Sequence, residues 1–203
     1  MPGVWLCSDH HFGHEKTCTV FKRNDGTPLR PFSSAEEMDE ELVRRHNERV
    51  RKNDKCYFLG DVVIAKKNLA ILNRLNGDKV LIRGNHDIYK LQDYAEYFRD
   101  IRGYHVMNGL ILSHIPIHLE SLARFRKNIH GHLHANQVMK LRGVNVASGE
   151  LLYSDQVDPR YYNVSVERTN FAPILFEDLL QKIKERDEEL NFKEHRPNVL
   201  GVD

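Results

Sequence analysis

Four short apolar segments of this 203-residue chain each lead directly into Asp, Asn or His. The segments have the length of ordinary β-strands, and many are bounded by residues that favour turns. The motifs that follow them are Asp9-His10-His11, Gly60-Asp61, Gly84-Asn85-His86-Asp87 and Ser113-His114. Because ligands bind outside the carboxyl ends of strands in open α/β sheets, we expect these motifs to converge in space.

The remaining pattern predicts an α/β fold. Apolar residues recur at helical spacing in 33–50, 68–75 and 176–190, and the first of these segments opens with Ser34 and Glu37 at capping-box spacing. Strands are predicted at 4–7, 55–60, 79–83, 104–107, 110–113, 145–148 and 162–166. Strand–helix alternation followed by closely spaced strands favours a layered β-sandwich of mixed sheets flanked by helices.

The length suits a single domain over residues 1–203, with a core at about 4–180. The first two turns of the C-terminal helix are expected to dock, its remainder to project into solvent, and the tail 193–203 to be loosely held. A composition of 40% hydrophobic and 29% charged residues is typical of soluble globular proteins.

The expected compartment is the cytoplasm. The chain contains no apolar stretch long enough for a membrane span, and its first residues lack a positively charged leader. Its three cysteines are odd in number and form no CxxC pair, so neither a disulfide framework nor a thiolate zinc site is indicated.

A fifth motif, Gly131-His132-Leu133-His134, adds an alternating histidine pair. Each motif alone is weak, because Gly-Asp and Asp-x-His are common in turns and a histidine pair can lie on an exposed strand face. Together they offer two Asp, one Asn and four His. These side chains are ligands for divalent transition-metal ions, with Asn contributing its carbonyl oxygen. The set therefore indicates a metal site.

The order D-x-H, G-D, G-N-H-D, S-H and G-H-x-H resembles the signature of the calcineurin-like metallophosphoesterases. The resemblance runs from about Val4 to Leu180 and includes the late segment YNVSVE. The opening DHHFGHEK is similar to the compact, single-domain branch found in bacteria and phages. The resemblance implies the layered architecture of that superfamily and hydrolysis of phosphoesters.

The resemblance also implies a ligand set for two divalent metal ions. Asp9, His11 and His134 would hold one ion, and Asn85, His114 and His132 the other. Asp61 would be shared, since a carboxylate between two cations offsets their repulsion. Nitrogen and oxygen ligands favour Mn²⁺, Fe, Zn²⁺ or Ni²⁺ over soft ions, with Mn²⁺ the first choice.

The implied mechanism is attack on phosphorus by a metal-bound hydroxide, with His86 as the general acid for the leaving alkoxide. Asp87 would either orient His86 or cap a helix, and both alternatives stay open. His14 is either a contact for the substrate phosphate or a polar loop residue, and Asn85 is a second candidate for substrate binding. His46 is expected to be a satisfied, half-buried histidine on its helix.

The leading substrate is a small phosphodiester or nucleotide-type ester, with diesters favoured over monoesters. Specificity is expected from 16–33 (with Phe21 and Arg30), 119–128 and 149–161, which also resemble ordinary surface loops. A formal net charge of +1 does not indicate a strongly basic surface for nucleic-acid binding. The basic segment 44–55 is typical of a solvated helix face.

Two alternatives remain. A nuclease acting through the same site would need a basic groove, which the composition does not indicate. A non-catalytic binding module would be expected to have lost ligands or His86. The chain is thus expected to bind small phosphoesters and no membrane. The sequence leaves its oligomeric state open.

Overall fold

The computed structural model describes residues 2–192 and contains three sheets. The first sheet has the strand order β11-β1-β2-β3-β4, with β1 to β4 parallel and β11 antiparallel at the edge. The second has the order β10-β7-β6-β5, with β5 antiparallel to β6. A separate antiparallel hairpin consists of β8 and β9. The predicted layered fold of mixed sheets is confirmed.

The strands are β1 Val4–Cys7, β2 Lys55–Phe58, β3 Asp78–Ile82, β4 Asp100–Arg102, β5 His105–Met107, β6 Leu110–Leu112, β7 Lys127–His130, β8 Met139–Val144, β9 Leu151–Val157, β10 Tyr161–Asn163 and β11 Ile174–Leu175. The α-helices are α1 Lys16–Thr19, α2 Ala35–Arg49, α3 Leu91–Ala95, α4 Leu119–Leu122 and α5 Phe176–Glu189, and 3-10 helices lie at Lys66–Arg74 and Val166–Arg168. Within residues 2–192, no helix is long and apolar enough to span a membrane.

The first sheet buries both of its faces, because successive side chains of a strand point to opposite sides. On one face Cys7, Phe58 and Leu81 pack with the apolar residues of α2 and of the first 3-10 helix. On the other face Leu6 packs in a second core that includes Ile129 of β7 and the apolar stripe of α5. The helices and the second sheet therefore cover opposite sides of the parallel strands.

Helix α2 forms as its sequence predicts. The Ser34 side chain accepts a hydrogen bond from the Glu37 backbone N–H at 3.2 Å, which satisfies one of the free donors of the first turn. Met38 and Leu42 on its apolar face are buried in the core. Because this helix packs across β1 and β2, it fixes the strands whose ends carry the first two motifs.

The short helix predicted at 68–75 is present as a 3-10 helix at Lys66–Arg74. Two other local predictions were wrong. Segment 145–148 joins β8 to β9 instead of forming a strand. The second half of α5 also contacts the domain, because Asp187 pairs with the buried Lys127 at 2.9 Å. The predicted docking of its first two turns is confirmed by the burial of Phe176, Leu179 and Ile183. The tail 193–203 lies outside the described residues.

The parallel strands bring the polar motifs to one edge of the molecule. The Asp9 backbone N–H donates to Gly60 O at 3.0 Å, which joins the loops after β1 and β2. The Gly131 backbone N–H donates to His114 O at 2.9 Å, which joins the loops after β6 and β7. An isolated parallel bridge between Ser8 and Ser165 ties the two sheets together beside them.

His46 of α2 is fully buried, not half-buried as expected, and its Nε2 donates to Asn76 O at 2.9 Å. Burial lowers its pKa to about 4. The neutral ring is favoured in the fold, so its contribution to stability is present above the unfolded pKa of ~6.5 and is lost as the pH falls toward 4.

We predict that His46→Leu reduces the acid sensitivity of the protein. Between pH 7 and pH 5, protonation of the unfolded histidine should cost the wild type about 2 kcal/mol of unfolding free energy that the variant does not lose. Urea unfolding of both proteins in EDTA at the two pH values measures the difference. An equal loss in the variant would contradict the assignment.

Candidate metal centre

Six of the seven candidate ligands form two compact clusters at the ends of the strands. Ligand atoms of Asp9, His11 and His134 all lie within 4.8 Å of one another, and the same holds for Asp61, His114 and His132. The first cluster joins the loops after β1 and β7, and the second joins the loops after β2, β6 and β7. The structure thus brings Asp9, His11 and His134 together, and it places Asp61 with His114 and His132.

One oxygen of Asp61 lies between the two clusters. Its Oδ2 is 3.3 Å from His114 Nε2 and 3.6 Å from His11 Nε2. The seventh residue, Asn85, places Oδ1 2.9 Å from His114 Nε2 on the side of the second cluster. A single carboxylate thus lies within reach of both candidate ion positions.

The donors fit divalent ions of intermediate softness, because imidazole, carboxylate and amide oxygen are all represented and thiolate is not. Both ring nitrogens of His11 are buried without a hydrogen-bond partner. Burial, together with the positive charge of Arg30, lowers the pKa of His11 well below its usual range. The ring is therefore neutral and its lone pair is free, which is the form that binds a metal ion.

Burial and neighbouring charges shift the pKa values of Asp9 and His114. Burial raises the pKa of Asp9, and His114 and His134 offset this only in part. Burial also acts against the charged form of His114, but its hydrogen bond to Asp61 and the charges of Asp9 and Asp61 outweigh it and raise its pKa to about 9. An ion entering the second cluster would displace that proton, so binding is expected to release protons.

The backbone of the site is unusual. Nine non-glycine residues within 2–192 have positive φ, and five of them are candidate ligands. These five are Asp9 (60°), His11 (50°), Asp61 (55°), His132 (68°) and His134 (49°). Such conformations are sparsely populated for residues with a Cβ, and they cluster at functional sites where the surrounding structure enforces them.

Two glycines allow the loops to approach closely. A Cβ on Gly84 would collide with the side chain and backbone N–H of Asp61, and a Cβ on Gly131 would collide with Ser8 and Asp9. Both glycines stand immediately before candidate ligands. Their lack of a side chain is what permits the carboxylates to lie against the neighbouring loops.

The two carboxylates also brace the loops. Asp9 accepts hydrogen bonds from the His132 backbone N–H at 2.9 and 3.0 Å and from Ser165 Oγ at 2.9 Å. Asp61 Oδ1 accepts from the His86 backbone N–H at 2.8 Å. The ligand side chains are thus oriented by contacts across the strand ends.

Asp87 has neither of the two roles considered from the sequence. Its carboxylate accepts from the backbone N–H groups of Asp61 and Gly84 at 2.8 Å and of Val62 at 3.1 Å. It is almost fully buried. Asp87 therefore clamps the loop after β3 to the loop after β2.

His86 and His14 lie next to the first cluster. The ring centroids of His86 and His14 are 5.4 and 5.7 Å from that of His11, and His86 is exposed. Phe21, 42% exposed, lies in a T-shaped arrangement with His14, with 5.5 Å between ring centroids. Both histidines therefore lie beside a candidate metal ligand at the strand ends.

The sequence predicts three segments as substrate loops. Segment 149–161 mostly forms β9 and the start of β10, and 119–128 contains α4 and the start of β7. In 16–33, Arg30 is fully buried, which contradicts its expected place in a surface loop. The contacts of Phe21 keep part of that segment at the site.

The sequence reading missed Glu167 as a residue of the site. Glu167 Oε1 accepts from His134 Nδ1 at 3.0 Å and from Arg30 Nε at 2.8 Å. Burial opposes its charge, but Arg30 and His134 outweigh burial and lower its pKa to about 2. The sequence offered one signal for this role, because Glu167 is a carboxylate that directly follows the predicted strand YNVSV.

The chain is similar to proteins whose names state no activity. The uncharacterised protein MJ1445 of Methanocaldococcus jannaschii is 36% identical over 192 residues, which cover 92% of this chain and 93% of that protein. No protein-family model matches the chain.

Solved structures resemble it less closely in sequence. A protein of unknown function from Aquifex aeolicus, AQ665, has a TM-score of 0.61 at 23% identity and covers 90% of this chain and 100% of its own. That likeness shows a shared fold. Vps29 of Entamoeba histolytica, solved in complex with Zn²⁺, has a TM-score of 0.36 at 16% identity over 79% of this chain and 77% of its own. This second likeness is too distant to bear on the present chain.

We predict that Asp87→Ala destabilises the metal-free protein by at least about 3 kcal/mol, because three N–H groups lose their acceptor in a buried place. His86→Ala, one position earlier and exposed, should leave the stability nearly unchanged. Urea unfolding in EDTA measures both. Equal stabilities for the two variants would contradict the clamp.

Proposed function

This chain belongs to the same protein family as MJ1445, and we propose that it is a metal-dependent phosphoester hydrolase of the calcineurin-like type. The observation that carries the proposal is the position of Asp61 Oδ2, 3.3 Å from His114 Nε2 in one ligand cluster and 3.6 Å from His11 Nε2 in the other. A carboxylate within reach of two ligand sets could hold two ions close together, as two-metal hydrolytic sites do.

The residues that would hold the two ions follow the observed clusters. Asp9, His11 and His134 would bind one ion, and His114, His132 and Asn85 the other, with Asp61 common to both. Mn²⁺ is the preferred ion, with Fe, Zn²⁺ and Ni²⁺ as alternatives for this donor set. When bound, the ions supply Lewis acidity toward phosphoryl oxygens and lower the pKa of water toward neutrality.

The remaining steps belong to side chains of the chain. His86 is exposed beside the first cluster, and its backbone N–H donates to Asp61, which supports its assignment as the residue that would give a proton to the leaving alkoxide. His14, whose ring also lies beside that of His11, would contact the phosphoryl group. The Asn85 carbonyl points to His114, which leaves its amide N–H groups for the substrate.

The proposed substrate is a small phosphodiester or nucleotide-type ester. Phe21 supports this choice, because a partly exposed aromatic ring beside His14 can stack on a base. A formal charge of +1 does not favour a long nucleic acid. All seven candidate ligands and His86 are retained, which favours an enzyme over a binding module.

The test of the proposal is metal analysis and hydrolysis in Asp61→Ala. Because Asp61 would serve both ions, the variant should lose most of its bound metal and nearly all hydrolysis of bis(p-nitrophenyl) phosphate and p-nitrophenyl phosphate in Mn²⁺, Ni²⁺, Zn²⁺ or Mg²⁺. Asp178→Ala, which removes an exposed carboxylate of α5, is the control and should behave as wild type. Near-normal metal content in Asp61→Ala would contradict the assignment of two ions to this site.

His86→Ala separates proton donation from metal binding. The variant should keep both ions and lose rate by roughly 10²–10⁴-fold on esters with an alkoxide leaving group. The loss should be smaller for nitrophenyl esters, because nitrophenolate departs with little protonation.

His132→Ala is the comparison, since loss of a metal ligand should slow both kinds of ester similarly. If His86→Ala lost equal rate on both esters with its metals intact, His86 would be a phosphate-binding residue and not the acid.

A further inference from the structure

We propose that Glu167 is a positioning residue that fixes the ring of His134 for metal binding, and that Arg30 holds Glu167 in place. The proposal rests on the proposed function, since it requires His134 to bind an ion. It concerns residues outside the seven ligands and adds a buried second layer to the first cluster.

The contact determines which nitrogen of His134 is free. Glu167 Oε1 lies 3.0 Å from His134 Nδ1. A carboxylate can only accept, so Nδ1 carries the hydrogen and the lone pair of the neutral ring is on Nε2. A ring nitrogen of His134 lies within 4.8 Å of ligand atoms of Asp9 and His11. Because Glu167 engages Nδ1, the nitrogen left for an ion is Nε2. A carboxylate that orients a histidine in this way also makes it a stronger ligand.

Arg30 fixes the carboxylate itself. Its side chain is fully buried, and Nε and Nη2 lie 2.8 and 2.7 Å from Glu167 Oε1. The same guanidinium donates to Asp9 O at 2.6 Å and to His10 O at 2.7 Å. One buried arginine thus connects the backbone of a first-cluster ligand with the carboxylate that orients another.

Charge pairing alone does not explain the contact with His134. Buried charges need partners, and Arg30 already supplies one full positive charge to Glu167. The histidine is therefore not required to neutralise the carboxylate. Its hydrogen bond instead fixes a direction, which is the property that a metal ligand needs.

The experiment is a Co²⁺ titration, followed by visible absorption, of wild type and Glu167→Gln. Loss of the carboxylate should raise the dissociation constant of one of the two ions by about 10–100-fold. Asp187→Asn is the matched control, because it likewise removes a carboxylate from a buried cation, Lys127, at the other end of β7. The control should show unchanged affinity, and circular dichroism at the titration temperature establishes that each variant is folded.

A second measurement needs no variant. In the Zn²⁺-loaded wild type with ¹⁵N-labelled histidine, two-bond ¹H–¹⁵N correlation spectra should show His134 protonated at Nδ1 and bound to metal through Nε2. Coordination through Nδ1 would overturn the proposal even if Glu167→Gln failed to fold.

The outcomes distinguish this proposal from the one it rests on. Wild type that binds no Co²⁺ or Zn²⁺ would overturn the proposed function and this inference with it. If the wild type binds two Co²⁺ ions per chain and Glu167→Gln binds them with equal affinity, the positioning role alone is overturned.

Discussion

Three of the four polar groups of Asp61 make hydrogen bonds at the point where the strand ends meet. Its backbone N–H donates to Asp87 at 2.8 Å, its carbonyl accepts from the His11 N–H at 3.0 Å, and its Oδ1 accepts from the His86 N–H at 2.8 Å. Only Oδ2 is left to face the two histidines, His11 and His114. The oxygen proposed to serve two ions is therefore fixed by contacts that do not depend on those ions.

This arrangement is costly for the backbone. Five candidate ligands adopt positive φ, and each such residue costs on the order of 1–3 kcal/mol. The cost persists because the carboxylates of Asp9, Asp61 and Asp87 cross-link the loops, while Gly84 and Gly131 leave room for them. An ion that bound only the folded site would stabilise it by mass action, which offsets part of this cost.

The sequence predicted what depends on local pattern. An apolar strand that runs directly into Asp, Asn or His identifies both an element and its end, so β1, β2, β3 and β6 and their motifs were recognisable. Strand β7 was not, because Lys127 and Asn128 are buried there through contacts that only the fold supplies, such as the Asp187 carboxylate and the Ile111 carbonyl.

Long-range contacts could not be predicted from the sequence either. Arg30 and Glu167 are 137 residues apart, and no local pattern connects a basic residue in an apparent surface loop with a carboxylate near the C-terminus. Asp87 could be placed beside His86, but its three backbone partners lie on two different loops. Motif order thus located the candidate ligands, whereas the side chains that orient them required the three-dimensional structure.

We propose that Asp61 joins two ion positions into one site. Electron paramagnetic resonance during a Mn²⁺ titration tests this role of Asp61, because two Mn²⁺ ions linked by a shared carboxylate couple magnetically. We expect a second equivalent of Mn²⁺ to convert the six-line spectrum of isolated ions into the multiline spectrum of a coupled pair. Binding of two equivalents with only uncoupled six-line signals, or no Mn²⁺ binding at all, would contradict it.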